Sequence, residues 1–273
     1  MPNAASRFRD LHRGAVLVLP NAWDAASAAL IEAAGAPAIA TTSAGVSWAL
    51  GKPDGQGLDR AQLAAAIARI VQAVSVPVSA DIEGGYGAQP CDVADTVRAV
   101  IAAGAVGINL EDSPGRDGHR LQSTAEQARR IAAAREAADA YGVDLFINAR
   151  TDVFLFAVGE PGHRLADVRE RAAAYRAAGA DGLFVPGVVD LDVISLLAAG
   201  PLPLNVMAGP GAASVAELAA AGATRVSVGS AVAQAAYQLA ARSAQELLTT
   251  GTYASLVETK DYAAFNHLLS NRR

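Results

Sequence analysis

Hydrophobic and polar positions along this chain alternate between two periods. Short apolar runs at 15–19, 76–80, 143–147 and 203–206, several introduced by Pro or Gly, read as strands. Between strands lie helical patterns at 61–73, 92–103, 123–141 and 164–178. A phrase made of a helix end, a Gly-Ala turn and a short strand recurs at 32–43, 101–113, 176–187 and 219–230. Its glycines, Gly35, Gly104, Gly179 and Gly222, stand where a helix C-terminus needs a left-handed residue. The strand count reaches eight. Eight strands alternating with helices predict a parallel sheet with right-handed crossovers, an α/β chain closing as a (β/α)8 TIM-type barrel. An open doubly wound sheet shares the alternation, but carries fewer strands and a Gly-rich phosphate loop after the first. Here Pro20-Asn21-Ala22-Trp23-Asp24 follows the first strand. Past the eighth strand, apolar positions at Tyr237, Leu239, Leu247, Leu248, Phe265 and Leu268 predict extra C-terminal helices. No linker interrupts the pattern, so residues 1–273 are expected to form one domain, with 231–273 as a helical segment.

Composition narrows the class. Hydrophobic residues make up 52% and charged ones 18% of 273 residues, enough apolar surface for a large core. Net charge is −5, from 27 acidic and 22 basic residues, and no basic stripe tracks along an element, which argues against nucleic acid as a partner. No stretch has the length and apolarity of a membrane span. The single cysteine, Cys91, has no disulfide partner and is expected to be a small buried hydrophobe. With no recognisable leader, these features predict a cytoplasmic protein.

In a barrel, the residues that end each strand share one mouth. Reading only those positions gives Asn21, Asp24, the stretch 42–45, Asp81, Glu83, Glu111, Asp112, Arg150, Asp152, Asn205 and the stretch 227–230. Carboxylates gathered at one rim repel, and a hard divalent cation with oxygen ligands relieves that repulsion. Mg2+, with Mn2+ as substitute, suits the set: Asp81 is expected as the direct ligand, with Asp54, Glu83 and Glu111 holding its waters. His12, His119, His163 and His267 show no ligand spacing, which disfavours zinc. Arg150 is placed to take a carboxylate or to oppose developing negative charge. The small residues Ser43, Ala44 and Gly45 would let a substrate approach backbone N–H groups. Taken singly, a strand-end Asp more often caps a helix, and an Arg more often pairs with an Asp.

Five ordered segments then resemble the isocitrate lyase/phosphoenolpyruvate mutase family: 20–24, 42–45 with 51–54, 79–87, 107–112 and 148–152, with the match running on to 228–231. The resemblance implies an Mg2+-dependent barrel enzyme that makes or breaks C–C or C–P bonds through enol or enolate forms of 2-oxo acids. It implies Asp81 on the metal and Asp54, Glu83 and Glu111 around it. Trp23, Ser43, Ala44, Gly45, Asp81, Arg150 and Asn205 would face the substrate, and Arg150, Glu111 and Asp54 would act on it. It also implies a homo-oligomer, dimer or tetramer, in which a C-terminal helix within 231–250 packs on the neighbouring subunit as a swapped helix.

One segment departs from the family. After Glu111-Asp112 the lyase branch carries a Lys-Arg/Lys-Cys-Gly-His signature, whereas this chain reads Ser113-Pro114-Gly115-Arg116-Asp117-Gly118-His119. The catalytic cysteine is absent, and so is the Lys and Asn loop of the mutases; Arg116 or His119 is the candidate substitute on this loop, and nothing in the spacing fixes a proton partner for either. The expected function is a lyase or decarboxylase of a small 2-oxo or 2-hydroxy (di)carboxylate. A non-catalytic 2-oxo acid binding or sensing protein and a phosphonopyruvate-type C–P hydrolase are the alternatives.

Overall fold

A computed structural model describes residues 3–115, 120–257 and 261–270. The strands are β1 (Leu17–Leu19), β2 (Asn21–Ala22), β3 (Ile39–Thr41), β4 (Val78–Asp81), β5 (Gly107–Glu111), β6 (Phe146–Arg150), β7 (Gly182–Val185), β8 (Leu204–Met207) and β9 (Arg225–Ser227). Around them run α1 (Ala4–Asp10), α2 (Ala25–Ala33), α3 (Ser43–Ala49), α4 (Arg60–Gln72), α5 (Pro90–Ala102) and α6 (Thr124–Tyr141). The helices continue with α7 (Arg164–Ala177), α8 (Leu191–Ala198), α9 (Val215–Ala220), α10 (Ala231–Thr250) and α11 (Tyr262–Ser270).

All nine strands pair in parallel, in the order β1-β9-β8-β7-β6-β5-β4-β3-β2. β1 and β2 are two halves of one barrel strand. Pro20 separates them and donates no hydrogen bond, so the chain pairs with β9 before it and with β3 after it. That single strand closes eight positions into a (β/α)8 barrel. The turn glycines behave as their repeat predicts: Gly35, Gly104, Gly179 and Gly222 all have φ between +97° and +101°, where a side chain would be strained.

Two apolar layers hold the barrel. Outside, Ile108, Leu110, Ile147, Leu183, Val185, Leu204, Val206 and Val226 pack against helix residues such as Leu63, Ile67, Val97, Ile131 and Val168. Each such side chain, once fully buried, contributes about 1.5–3 kcal/mol. Inside, Leu17, Leu19, Ala38, Ala40 and Phe146 surround Phe8 of α1, which stops the N-terminal end of the barrel. Gly107 makes room for it, since a Cβ there would lie 2.6 Å from the Phe8 ring. The apolar-to-polar period did not predict α1.

Above this plug the interior turns polar. Asn148 Nδ2 donates to Asn109 Oδ1 (2.9 Å) and Asn205 Oδ1 (3.0 Å), and Asn205 Nδ2 donates to Ser227 Oγ (3.2 Å). Arg225, 1% exposed, completes the layer with Nη2 3.4 Å from Asn109 Oδ1. Cys91 corrects an expectation: it is exposed near the start of α5, not buried. No helix among the described residues is long and apolar enough to cross a membrane.

Candidate active site

Polar side chains from four loops meet where the strands end. A cavity of about 250 Å³ is lined by Ser43, Asp54, Gly55, Glu83, Glu111, Ser113, Gly115, Arg150 and Phe156. Glu111 and Arg150 stand opposite each other in the β5–β6 register, so adjacent strands deliver both to one rim. Arg150 Nη1 lies 2.8 Å from Glu111 Oε2, and its Nε and Nη2 donate to Asp152 at 2.6 and 3.1 Å. The guanidinium also stacks over Phe184, 5.7 Å from the ring centre.

Asp81 ends β4 just behind the cavity wall. Its carboxylate accepts from the Ser43 and Glu83 N–H groups, both at 3.2 Å, while its own N–H donates to Thr41 Oγ1. Glu83 follows in the left-handed region, φ 50°, an uncommon conformation for a non-glycine residue and one that turns its carboxylate into the cavity. Tyr86 Oη donates to Glu83 Oε1 at 2.6 Å, and the Gln56 N–H donates to Oε2. Gln56 Nε2 reaches the Pro114 carbonyl, linking the loop that carries Asp54 to the one after β5.

Burial and crowding raise every cavity carboxyl that shifts. Burial pushes Glu83 up to about 7, with Asp81 and Asp54 adding to the rise and the bonds from Tyr86 and Gln56 opposing it. Asp54 is raised by burial and then by Asp81, against the Gly55 N–H, Ser43 and Arg150. Glu111 is raised well above its usual range by burial, and Arg150 only partly offsets this. Burial works against the charge of Arg150, but Glu111 and Asp152 outweigh it and keep the guanidinium ionised.

A second polar chain lies behind the first. Asp152 takes the Ser113 hydroxyl, and its N–H donates to Asp112 Oδ1 (3.0 Å). Asp112 Oδ2 accepts from Tyr175 Oη (2.9 Å) and Arg171 Nη1 (3.1 Å) on α7. Asp112 and Asp152 are fully buried, so these strand-end acids brace Arg150 and do not line the cavity.

The structure thus brings Ser43, Asp54, Glu83, Glu111 and Arg150 to one cavity, with Asp81 beside them. Other expected residues lie elsewhere. Asn205 is 1% exposed in the barrel interior, and its amide is committed to Asn148, Val206 and Ser227. Trp23 lines a separate cleft between α2, α3 and α4. Ala44 and Gly45 belong to α3, a helix that the small-residue stretch did not predict. A Cβ on Gly45 would sit 2.7 Å from Trp23 Cβ and 2.8 Å from Thr42 Cγ2, so its smallness lets α3 pack here. Asp24 caps α2 by exchanging bonds with Ser27. Arg116 and His119 lie outside the described residues.

Three contributors escaped the sequence reading: Tyr86, Gln56 and Arg130. Arg130, 2% exposed, donates to the carbonyls of Gly84, Gly87 (3.1 Å) and Ala88 (2.8 Å), and so clamps the loop that presents Glu83. A run of glycines with free carbonyls is the one signal that points to such a clamp.

Among the described residues, no three His, Cys, Asp or Glu side chains form a ready cage for a metal ion. The donor set still fits Mg2+. Its oxygens are carboxylates whose charge is unfavourable without a cation, and Mg2+ keeps several waters and needs only one or two direct protein ligands.

An acid-rich cavity with one arginine, at the carboxyl end of a parallel barrel, is where barrel enzymes place their chemistry. The chain belongs to the phosphoenolpyruvate phosphomutase family, an enzyme family of lyases and mutases whose profile matches residues 8–248. It is 39% identical to the uncharacterized protein Rv1998c of Mycobacterium tuberculosis, over 87% of each chain. An oxaloacetate decarboxylase of Rhodopseudomonas palustris (strain BisB5) is 32% identical, over 74% of this chain and 71% of that one. A putative lyase/mutase from Burkholderia cenocepacia J2315 superposes with TM-score 0.90 at 39% identity, covering 98% of this chain and 96% of the other. A structure of oxaloacetate acetylhydrolase with the inhibitor 3,3-difluorooxalacetate gives TM-score 0.87 at 25% identity, over 98% and 93%.

Proposed function

We propose that this chain is an Mg2+-dependent lyase or decarboxylase that breaks a carbon–carbon bond in a small 2-oxo or 2-hydroxy dicarboxylate and leaves an enolate. The observation that carries the reading is the cavity of about 250 Å³ in which Asp54, Glu83 and Glu111 face Arg150. That volume suits a substrate of a few carbons with its waters. Relatives named for oxaloacetate chemistry support the substrate class.

In this reading Asp81 would hold Mg2+ directly, and Asp54, Glu83 and Glu111 would hold its waters. Bound there, the ion would supply Lewis-acid polarisation of the substrate carboxylate and the oxygen beside it. Arg150 opposes negative charge developing on the substrate. Its Nε and Nη2 are fixed by Asp152, so the guanidinium plane is set in advance and no reorganisation is needed as charge develops. Its Nη1 pairs with Glu111, so an incoming carboxylate meets the remaining Nη N–H groups or takes the place of Glu111. Ser43, whose N–H holds Asp81, orders that carboxylate. The cytoplasm is the compartment of this reading, in keeping with a single cysteine.

The partner of the chain is inferred to be a second copy. Only Ala233 of α10 is buried, while Val232, Tyr237, Leu247, Leu248, Phe265 and Leu269 of α10 and α11 are exposed. So much apolar surface in one segment marks an interface.

The test of the reaction is Mg2+-dependent pyruvate release from oxaloacetate and methylisocitrate-like acids, and phosphate release from phosphonopyruvate, with wild type beside Asp81→Ala. Metal also decarboxylates oxaloacetate without enzyme, so the variant is the blank. Pyruvate release from oxaloacetate or a methylisocitrate-like acid that falls to that blank in Asp81→Ala, with an unchanged melting curve, supports the reading, whereas Asp81-dependent phosphate release alone replaces it with C–P hydrolysis. Equal turnover by both proteins overturns it.

A further inference from the structure

We propose that Arg225 is a specificity-determining charge beneath the site: it tightens the cavity for anions and loosens it for cations. The proposal rests on the functional reading above, in which the cavity takes both a cation and an anionic acid.

Arg225 begins β9 and is 1% exposed, inside the barrel. Its register partners are Leu17 and Asn205, so it stands in the polar layer directly under the rim. No carboxylate pairs with it: among the described residues its Nε and Nη1 have no hydrogen-bond partner, and Nη2 makes one long contact of 3.4 Å to Asn109 Oδ1. Asn109 is the register partner of Asp81, which puts the guanidinium one strand position from the rim acid. A buried cation without a counter-ion is costly, and packing has no need of one where Leu or Met would fill the volume. Arg225 remains charged all the same, since burial lowers its pKa only to about 10 and Asp81 pulls the other way.

Such a charge acts on the cavity through space. Arg150 is already committed to Asp152 and Glu111, so it leaves the rim short of positive charge for an anionic substrate. Arg225 adds that charge from below, out of reach of solvent screening and of direct contact with the ligand. A residue with this role must affect cations and anions in opposite directions. A residue that merely holds the barrel together would weaken both.

The experiment measures two affinities in wild type, Arg225→Met and Arg225→Lys. Mn2+ binding is read from the electron paramagnetic resonance of the free ion, and oxalate binding to the Mn2+-saturated protein from titration calorimetry. In Arg225→Met, Mn2+ should bind more tightly and oxalate more weakly, each by roughly fifteenfold, which is what one unit charge ~10 Å from a divalent ion does at an effective dielectric of ~40. Arg225→Lys should restore both. Asn205→Asp, which sets a carboxylate beside the intact guanidinium, should give the same opposite shifts, so the proposal stays testable if Arg225→Met does not fold. Shifts in the same direction, or none, overturn it. Failure of wild type to bind Mn2+ overturns the functional reading and this inference with it, whereas same-direction shifts in a wild-type background that binds Mn2+ overturn this inference alone.

Discussion

Glu83 offers a prediction whose size depends on pH. In the folded, metal-free chain its carboxyl titrates at about 7, against an ordinary value of 4.5. The folded state therefore binds more protons than the unfolded one between those two values. Its stability falls as pH rises across that window. The full shift is worth on the order of 3 kcal/mol at 1.36 kcal/mol per unit. Glu83→Gln removes the titration. Its amide keeps both bonds, the oxygen accepting from the Gln56 N–H and the nitrogen donating to Tyr86 Oη, a hydroxyl that accepts as readily as it donates. The variant should thus match wild type near pH 4.5 and be about 3 kcal/mol more stable at pH 8, with the curves diverging in between. Urea unfolding in EDTA, repeated across that range, measures both curves. Asp54, Asp112 and Glu111 are raised in the same direction, so only the difference between variant and wild type isolates Glu83. Parallel curves would show that Glu83 is ionised in the folded chain and would refute the reasoning.

Two further outcomes follow from packing. Gly45→Ala should cost ~1–3 kcal/mol in thermal unfolding, since its methyl would press on Trp23 Cβ and Thr42 Cγ2 within 2.8 Å; a neutral result would mean that α3 shifts freely. Wild type should sediment as a dimer or tetramer, and Leu248→Glu with Phe265→Glu should reduce it to a smaller species; a monomeric wild type would refute the interface inferred for α10 and α11.

The barrel was legible because its signals are local. A strand needs a short apolar run, and a helix stop needs a residue that tolerates positive φ, which Gly35, Gly104, Gly179 and Gly222 supply in repeat. Strand ends likewise gave an address for Glu83, Glu111 and Arg150, and the cavity gathers them with Asp54. An address does not give a direction. Successive strand residues face opposite ways, and the inward ones stack in layers, so a strand-end residue can face the mouth, the interior below it or the wall behind it. Asn205 faces the interior, and Asp112 and Asp152 brace the wall, although all three carry rim-like side chains. Contacts between distant segments were harder still. Arg130 of α6 reaches three carbonyls of the 84–88 loop, and Gln56 joins Glu83 to Pro114; such pairings depend on how helices dock, which no local pattern encodes. Arg225 shows the limit most clearly. In sequence it stands in the mixed stretch Thr224-Arg225-Val226-Ser227, easily read as a surface position, and only closure of the barrel turns it into a buried charge under the rim acids.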